Sequence, residues 1–259
     1  IGFDASYYQK NTYDQIVPVM VSGATGYTSK YINSGQMNNS GFELTLNLVP
    51  VKTTNFTWDI QLNASTLKNE VVSIAEGLDY LNLQNAPFRV KSGAFTGSPY
   101  PVIYGTGFVY DDEGNKLINP STGYYAATPI KPIGNASPNF TAGLTNSFNF
   151  KGFDMSILID MQRGGHMYYT SYMWGMYSGL LAETAIQDGI DIRDKGVTID
   201  GYYGKYDAAT KKYVYTTATG AVSTTYVKNT SALDAESWGV YHYDQNDESK
   251  VFSTDYIKL

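Results

Sequence analysis

Two histidines, His166 and His242, stand far apart in the sequence, and there is no cysteine. Thiolate nucleophiles, thiolate metal sites and disulfides are thereby excluded, and cysteine usage gives no reading of the redox compartment. No nucleophile elbow, phosphate loop, paired-histidine zinc motif or complete dinucleotide fingerprint occurs. The acidic run Asp111-Asp112-Glu113 with Asn115 suggests calcium, but it lacks the EF-hand spacing and the late bidentate glutamate. A hairpin turn accounts for it better. Asp188, Asp191 and Asp194 are interleaved with Arg193 and Lys195, as on a solvated or internally paired face. A carboxylate pair for glycoside hydrolysis needs no sequence motif, and nothing favours one. The residues therefore point away from an enzyme, with no catalytic set, metal or cofactor implied.

The richest segment is residues 163–177. Arg163-Gly164-Gly165-His166 leads into Tyr168, Tyr169, Tyr172, Trp174 and Tyr177, five aromatics in ten residues. Aromatic faces stack on sugar rings and other amphipathic ligands, while hydroxyls and the indole N–H add hydrogen bonds. Arg163, His166, Tyr168, Tyr169, Tyr172, Trp174 and Tyr177 are thus the candidate ligand-binding residues. The alternative is that these rings pack the segment against its neighbours. Arg163 either pairs with Asp160 or binds an anionic or hydroxylated ligand.

The elements that position this segment are strands. Phe56, Trp58, Ile60, Leu62 and Ala64 alternate with Thr57, Asp59, Gln61, Asn63 and Ser65. Successive side chains leave opposite faces of a pleat, so period two means a strand with one oily and one wet face. Phe42, Leu44, Leu46 and Leu48 repeat the pattern. So does the run from Phe153 to Gln162, with Leu158 its one lapse. Principal strands are expected near 1–8, 40–49, 56–67, 139–150, 153–162 and 252–259. Asn146 falls on the apolar parity of its strand, out of place in either environment.

Short connections (50–55 and 151–152) alternate with long ones (9–39, 68–138 and 163–251). An up-and-down sheet then gathers every short turn at one end and every long loop at the other, the layout of an outer-membrane barrel. Phe56, Trp58, Phe148, Phe150 and Phe153 collect at the short-turn end, as an aromatic girdle would. Inside the long loops, hairpins are expected at 108–118, with Gly114 supplying positive φ, and at 205–215. Helical spacing of Tyr177, Leu180, Leu181, Thr184 and Ala185 predicts a helix that Gly189 stops.

Composition agrees. Hydrophobic residues make up 42% of the 259, too many for a disordered chain. The formal charge of −6 argues against nucleic acid. A mean hydropathy of −0.28 and the lack of a long apolar run leave no spanning helix, a finding silent on barrels. The 24 tyrosines suit interfaces and ligand surfaces, although β-rich proteins favour tyrosine in any case. Both ends fall in apparent strands, so the chain reads as a piece of a longer polypeptide.

Several phrases together resemble the C-terminal barrel region of the SusC/RagA family of TonB-linked outer-membrane transporters of Bacteroidetes. They are Asn39-Ser40-Gly41-Phe42-Glu43-Leu44, Phe56-Thr57-Trp58-Asp59 and Gly134-Asn135-Ala136-Ser137-Pro138-Asn139-Phe140. Lys151-Gly152-Phe153-Asp154, Arg163-Gly164-Gly165, Val197-Thr198-Ile199-Asp200-Gly201 and Asp255-Tyr256-Ile257-Lys258-Leu259 follow in order. The resemblance implies an all-β fold: a partial transmembrane antiparallel up-and-down β-barrel with long extracellular loops. Residues 1–259 would be a segment of the receptor barrel domain, with about six strands of a plugged barrel of about twenty-two, and with the plug absent. It also implies import of oligosaccharide or peptide in the cell outer membrane, with a SusD-like surface lipoprotein as lid. The TonB complex would act through the missing plug region, and transporter–lipoprotein pairs would dimerise. Glu43, Asp59, Gln61, Asn63, Asp154 and Asp160 would face the lumen or plug, and the opposite parity outer-membrane lipid. A soluble β-rich carbohydrate-binding module and a secreted carboxylate hydrolase are the rivals. A module would cover its apolar parity with another sheet.

Overall fold

The computed structural model describes residues 1–20, 22–85, 90–207, 210 and 212–259. Six antiparallel strands form one open sheet: β1 (Gly2–Tyr13), β2 (Gln36–Lys52), β3 (Phe56–Thr66), β4 (Phe140–Phe150), β5 (Phe153–Arg163) and β6 (Tyr256–Lys258). They lie side by side in chain order, and Lys68–Ser73 adds to the upper part of β2. All six expected strands are present.

The register makes the two faces explicit. Phe3, Leu46, Leu62, Leu144 and Ile159 form one continuous row, and Ala5, Leu44, Ala64, Ala142, Met161 and Ile257 form the next. The other parity carries Asp4, Thr45, Asn63, Gly143, Asp160 and Lys258. Among the described residues, no layer covers the apolar rows. Phe153 is 80% exposed, Met155 56% and Phe42 44%, and Gly41 is the sole buried residue of the six strands. The second sheet that a soluble module needs is missing among the described residues. On β4 the apolar parity runs from Phe140 to Phe150. Ten steps span about 33 Å along the strand, or about 25 Å of membrane depth at a tilt near 40°.

Asn146 is satisfied within this belt: the Trp58 indole N–H donates to its Oδ1 at 3.2 Å. Trp58 also stacks on Phe148, and Phe148 on Phe56, completing the girdle at the short-turn end. The β4–β5 reversal is a two-residue turn with Lys151 at φ +48 and Gly152 at φ +89, the paired positive φ of a type I′ hairpin. At Gly41 a Cβ would lie 2.3 Å from the Thr66 carbonyl and 2.5 Å from the Tyr8 hydroxyl, so glycine lets the Tyr8 ring lie across it.

Three expectations are corrected. β2 continues through Lys52, passing Val49 and Pro50 by a bulge, because proline has no N–H for the ladder. The last strand is split. Gly164 (φ +74) and Gly165 (φ +87) turn the chain out of β5, and the partner strand bends with it. Val251–Ser253 therefore pairs with His166–Tyr168, leaving Tyr256–Lys258 in the sheet. The helix lies earlier than its spacing predicts, at α1 (Thr170–Tyr177), and Gly179 (φ +73) ends it. Leu181 and Thr184 instead face the loop interior around a single 3-10 turn, and Gly189 turns a two-stranded hairpin of Ile186–Gln187 and Ile190–Asp191.

The hydrophobic cores lie in the loops. The second and third loops share one, built on Ile118, Met176, Ile192, Tyr203, Trp238 and Tyr241. The 108–118 hairpin forms as expected, with Gly114 at φ +86. So does its neighbour, in which Tyr202–Asp207 pairs with Lys212–Tyr215. The expected tip at 208, 209 and 211 lies outside the described residues. No helix among the described residues is long and apolar enough to cross a membrane, which says nothing of strands.

Candidate functional site

The third loop leaves β5 and brings α1 against α2 (Ala235–Asp244). Asp234 caps α2, accepting from the Ser237 N–H at 2.7 Å and its hydroxyl at 3.1 Å. These bonds hold its carboxyl below the usual range. Trp238, Tyr241 and His242, at i, i+3 and i+4, give α2 one buried face. On α1, Met173 and Met176 point inward. Gly175 leaves room for Leu181, whose Cγ is 2.8 Å from where a Cβ would sit.

This packing pushes three rings outward together. Trp174 lies 5.6 Å from Tyr177 and 5.5 Å from Tyr243, and Tyr177 lies 5.1 Å from Tyr243. Trp174 is 39% exposed and Tyr177 45%. A second group joins Tyr169, Tyr172 and Phe252 at 5.1–6.2 Å, with Tyr169 exposed and Tyr172 half-buried. Burial raises the Tyr172 phenol above its ordinary pKa. The exposed faces can stack on a planar or amphipathic ligand.

The remaining sequence candidates are placed differently. Tyr168 is half-buried and donates to the Met173 sulfur at 3.3 Å. His166 packs beneath the loop, its Nδ1 accepting the Asn135 N–H at 3.3 Å. Arg163 ends β5 on the apolar, outward parity. Its guanidinium pairs with Asp255 at 3.6 Å, outside the aromatic group. Asp160, the other carboxylate considered for it, binds Lys258 at 3.1 Å and accepts the Tyr256 hydroxyl at 2.9 Å on the polar face. Tyr243 was not foreseen. Its sole signal is its place beside the Trp238, Tyr241 and His242 stripe.

His242 is buried, with its Nδ1 2.9 Å from the Trp238 carbonyl, a bond that puts the proton on Nδ1. Burial pushes its pKa down to about 4, so it is neutral at physiological pH.

The acidic turn is satisfied within the protein. Asp111 accepts from the Glu113 and Asn115 N–H groups, the Asn115 amide and the Tyr215 hydroxyl; Glu113 accepts the Tyr226 hydroxyl at 2.8 Å. Burial favours the protonated acid, but these bonds outweigh it and lower the Asp111 pKa. Among the described residues, no group of three metal-ligating side chains converges.

A latch joins the two large loops. Asn246, at φ +40, donates to the carbonyls of Gly107 and Ala126, both at 3.1 Å. Asp247 accepts from the Thr106 N–H and hydroxyl, both at 2.9 Å. Glu248 accepts the Phe108 N–H at 2.9 Å and pairs with Lys131 at 3.5 Å. Three consecutive side chains thus fix the aromatic platform to the strand at Val102–Phe108.

No family model matches the chain. The TonB-dependent receptor P3 of Formosa agariphila is 28% identical over 190 residues, covering 64% of this chain and 19% of the receptor. The TonB-dependent receptor SusC of Bacteroides thetaiotaomicron is 25% identical over 179 residues, covering 62% and 17%. The solved RagAB peptide transporter superposes with a TM-score of 0.54 at 18% identity, covering 68% of this chain and 21% of that one. The resemblance read from the sequence is borne out, as are the antiparallel barrel architecture and the outer-membrane location. The chain spans about a fifth of the length of the curated relatives it matches. Those relatives are named as receptors and the structural neighbour as a transporter.

Proposed function

We propose that this SusC/RagA-like segment of an outer-membrane barrel serves TonB-dependent import of oligosaccharide or peptide, supplying wall strands and extracellular loops. The observation that carries the reading is the uncovered apolar belt. It is about 25 Å deep, with a polar face behind it and structured loops at one end. A soluble carbohydrate-binding module would leave that belt in water.

In this reading the chain does no bond chemistry. Import is a cycle of states with different ligand affinity, and the loops contribute contact surface. The Trp174, Tyr177 and Tyr243 rings, with Tyr169, form the ligand or lid contact. A SusD-like lipoprotein would close over them, the TonB complex would act through the plug region, and two such pairs would dimerise. The experiment replaces Trp174, Tyr177 and Tyr243 with Ala together in the full-length receptor. Ligand capture should fall at least about tenfold, since each stacked ring contributes about 0.5–1.5 kcal/mol, while barrel assembly is retained. Unchanged capture with the barrel intact would make these rings loop packing.

A further inference from the structure

The first and second loops meet across a second feature, a cavity of about 310 Å³. Val17 comes from the first loop and Val71, Ile74 and Ala94 from the second. Together they form a buried apolar cluster on which Met37 and Leu81 pack, and all six line the cavity. Met37 and Val71 stand opposite each other on the polar, inward parity of the sheet, so this wall lies on the lumen side and not the lipid side. The Ser34 hydroxyl, donating to the Ile74 carbonyl at 2.6 Å, ties the two loops together beside it.

The wall chemistry selects the occupant. A sugar ring needs partners for its hydroxyls and a flat aromatic face for its C–H groups. Here the wall is aliphatic apart from Tyr100, with Gln15 as its polar side chain; Gln36 and Ser73 border the cavity but pair opposite each other on the outward parity. An apolar side chain fills such a wall without stranding hydroxyls, and the Gln15 amide can bond a peptide group beside it. We infer that the cavity is a subsite for a leucine- or phenylalanine-sized side chain of an imported peptide. This rests on the import reading and narrows it.

The test uses the full-length receptor in detergent with three probes: acetyl-Gly-Gly-Leu-Gly-Gly-amide, its Ser counterpart and maltoheptaose. The leucine peptide should bind at least about tenfold more tightly than the serine peptide, as burial of one leucine side chain requires. Ala94→Leu, which pushes a larger side chain into the cavity, and Met37→Ser, which makes its wall polar, should each bring the two peptides to within about twofold. Heat-resistant migration in detergent gels confirms that each variant is folded. Equal peptide affinities in the wild type, no peptide binding, or a leucine preference that survives both substitutions overturns the subsite. Binding of maltoheptaose alone overturns it while leaving import in place. Binding of none of the three, with capture also unaffected by loss of the aromatic platform, removes the import reading as well.

Discussion

Leu144 and Thr145 are adjacent near the middle of β4, and the sheet sends them to opposite faces. Leu144 sits in the apolar row between Leu62 and Ile159, whereas Thr145 sits between Gln61 and Leu158 on the polar parity. Leu144 lies four steps along the strand from Phe140 and six from Phe150, which puts it near the bilayer midplane. Arginine on the lipid face costs about 2–4 kcal/mol there, and lumen positions largely escape that cost. Leu144→Arg should therefore lower the folding equilibrium constant roughly 30- to 1,000-fold, at about 1.4 kcal/mol per tenfold. Thr145→Arg should change it by less than about tenfold, and Leu144→Ala should fall between them. The assay is denaturant titration of the full-length receptor in liposomes, followed by tryptophan fluorescence and gel mobility. Equal losses for the two arginine variants, or a larger loss at Thr145, would refute the assignment of faces.

Asp247→Ala should free the Thr106 N–H and detach the third loop from the second, at a cost of about 1–3 kcal/mol. Limited proteolysis should then cut residues 164–250 at least about tenfold faster while the barrel strands stay protected. His242 has a folded-state pKa near 4, below its ordinary value. Its neutral form is fully favoured above about pH 6.5, and that stability is lost as pH falls towards 4, roughly 3 kcal/mol in all. Loop unfolding should therefore move to lower temperature between pH 6.5 and 4, and His242→Gln should flatten that slope. Asn146→Leu should be nearly neutral or stabilising when paired with Trp58→Phe. Alone, it leaves the indole N–H without its partner and should cost about 1–2 kcal/mol.

The sheet was legible because lipid and water impose period two on every strand that crosses between them. The run from Phe56 to Ser65 states its own faces, and the short connections read at 50–55 and 151–152 fix the strand order. Even the misfit Asn146 is explained by a residue two places along on the neighbouring strand. The loops were less legible because their order comes from contacts distant in sequence. Asp247 meets Thr106 across 141 positions, and no local pattern announces it. The helix was misplaced for a related reason. The aromatics of residues 168–177 look like a surface run until Met173 is seen buried and Met176 packed with Trp238 and Tyr241 of α2, while the spacing of Leu181 and Thr184 reflects one turn and a core contact. Arg163 shows the limit of reading chemistry from proximity. Two glycines after it redirect the chain, so it stays on the outward edge of β5 while the rings six to fourteen residues on go elsewhere.

The central claim is that the long-loop end faces the cell exterior and the short-turn end the periplasm, across a lipid-facing belt. The chain has no cysteine, so it adds no labelling background of its own to an introduced single cysteine. Asp112→Cys and Lys212→Cys sit at exposed loop positions, and Lys52→Cys and Thr54→Cys beside the short reversal. On intact cells expressing the full-length receptor, an impermeant thiol reagent should label the first two. It should spare the second two until the outer membrane is permeabilised. Equal labelling of all four on intact cells would contradict the membrane barrel, and the reversed pattern would contradict the direction of its strands.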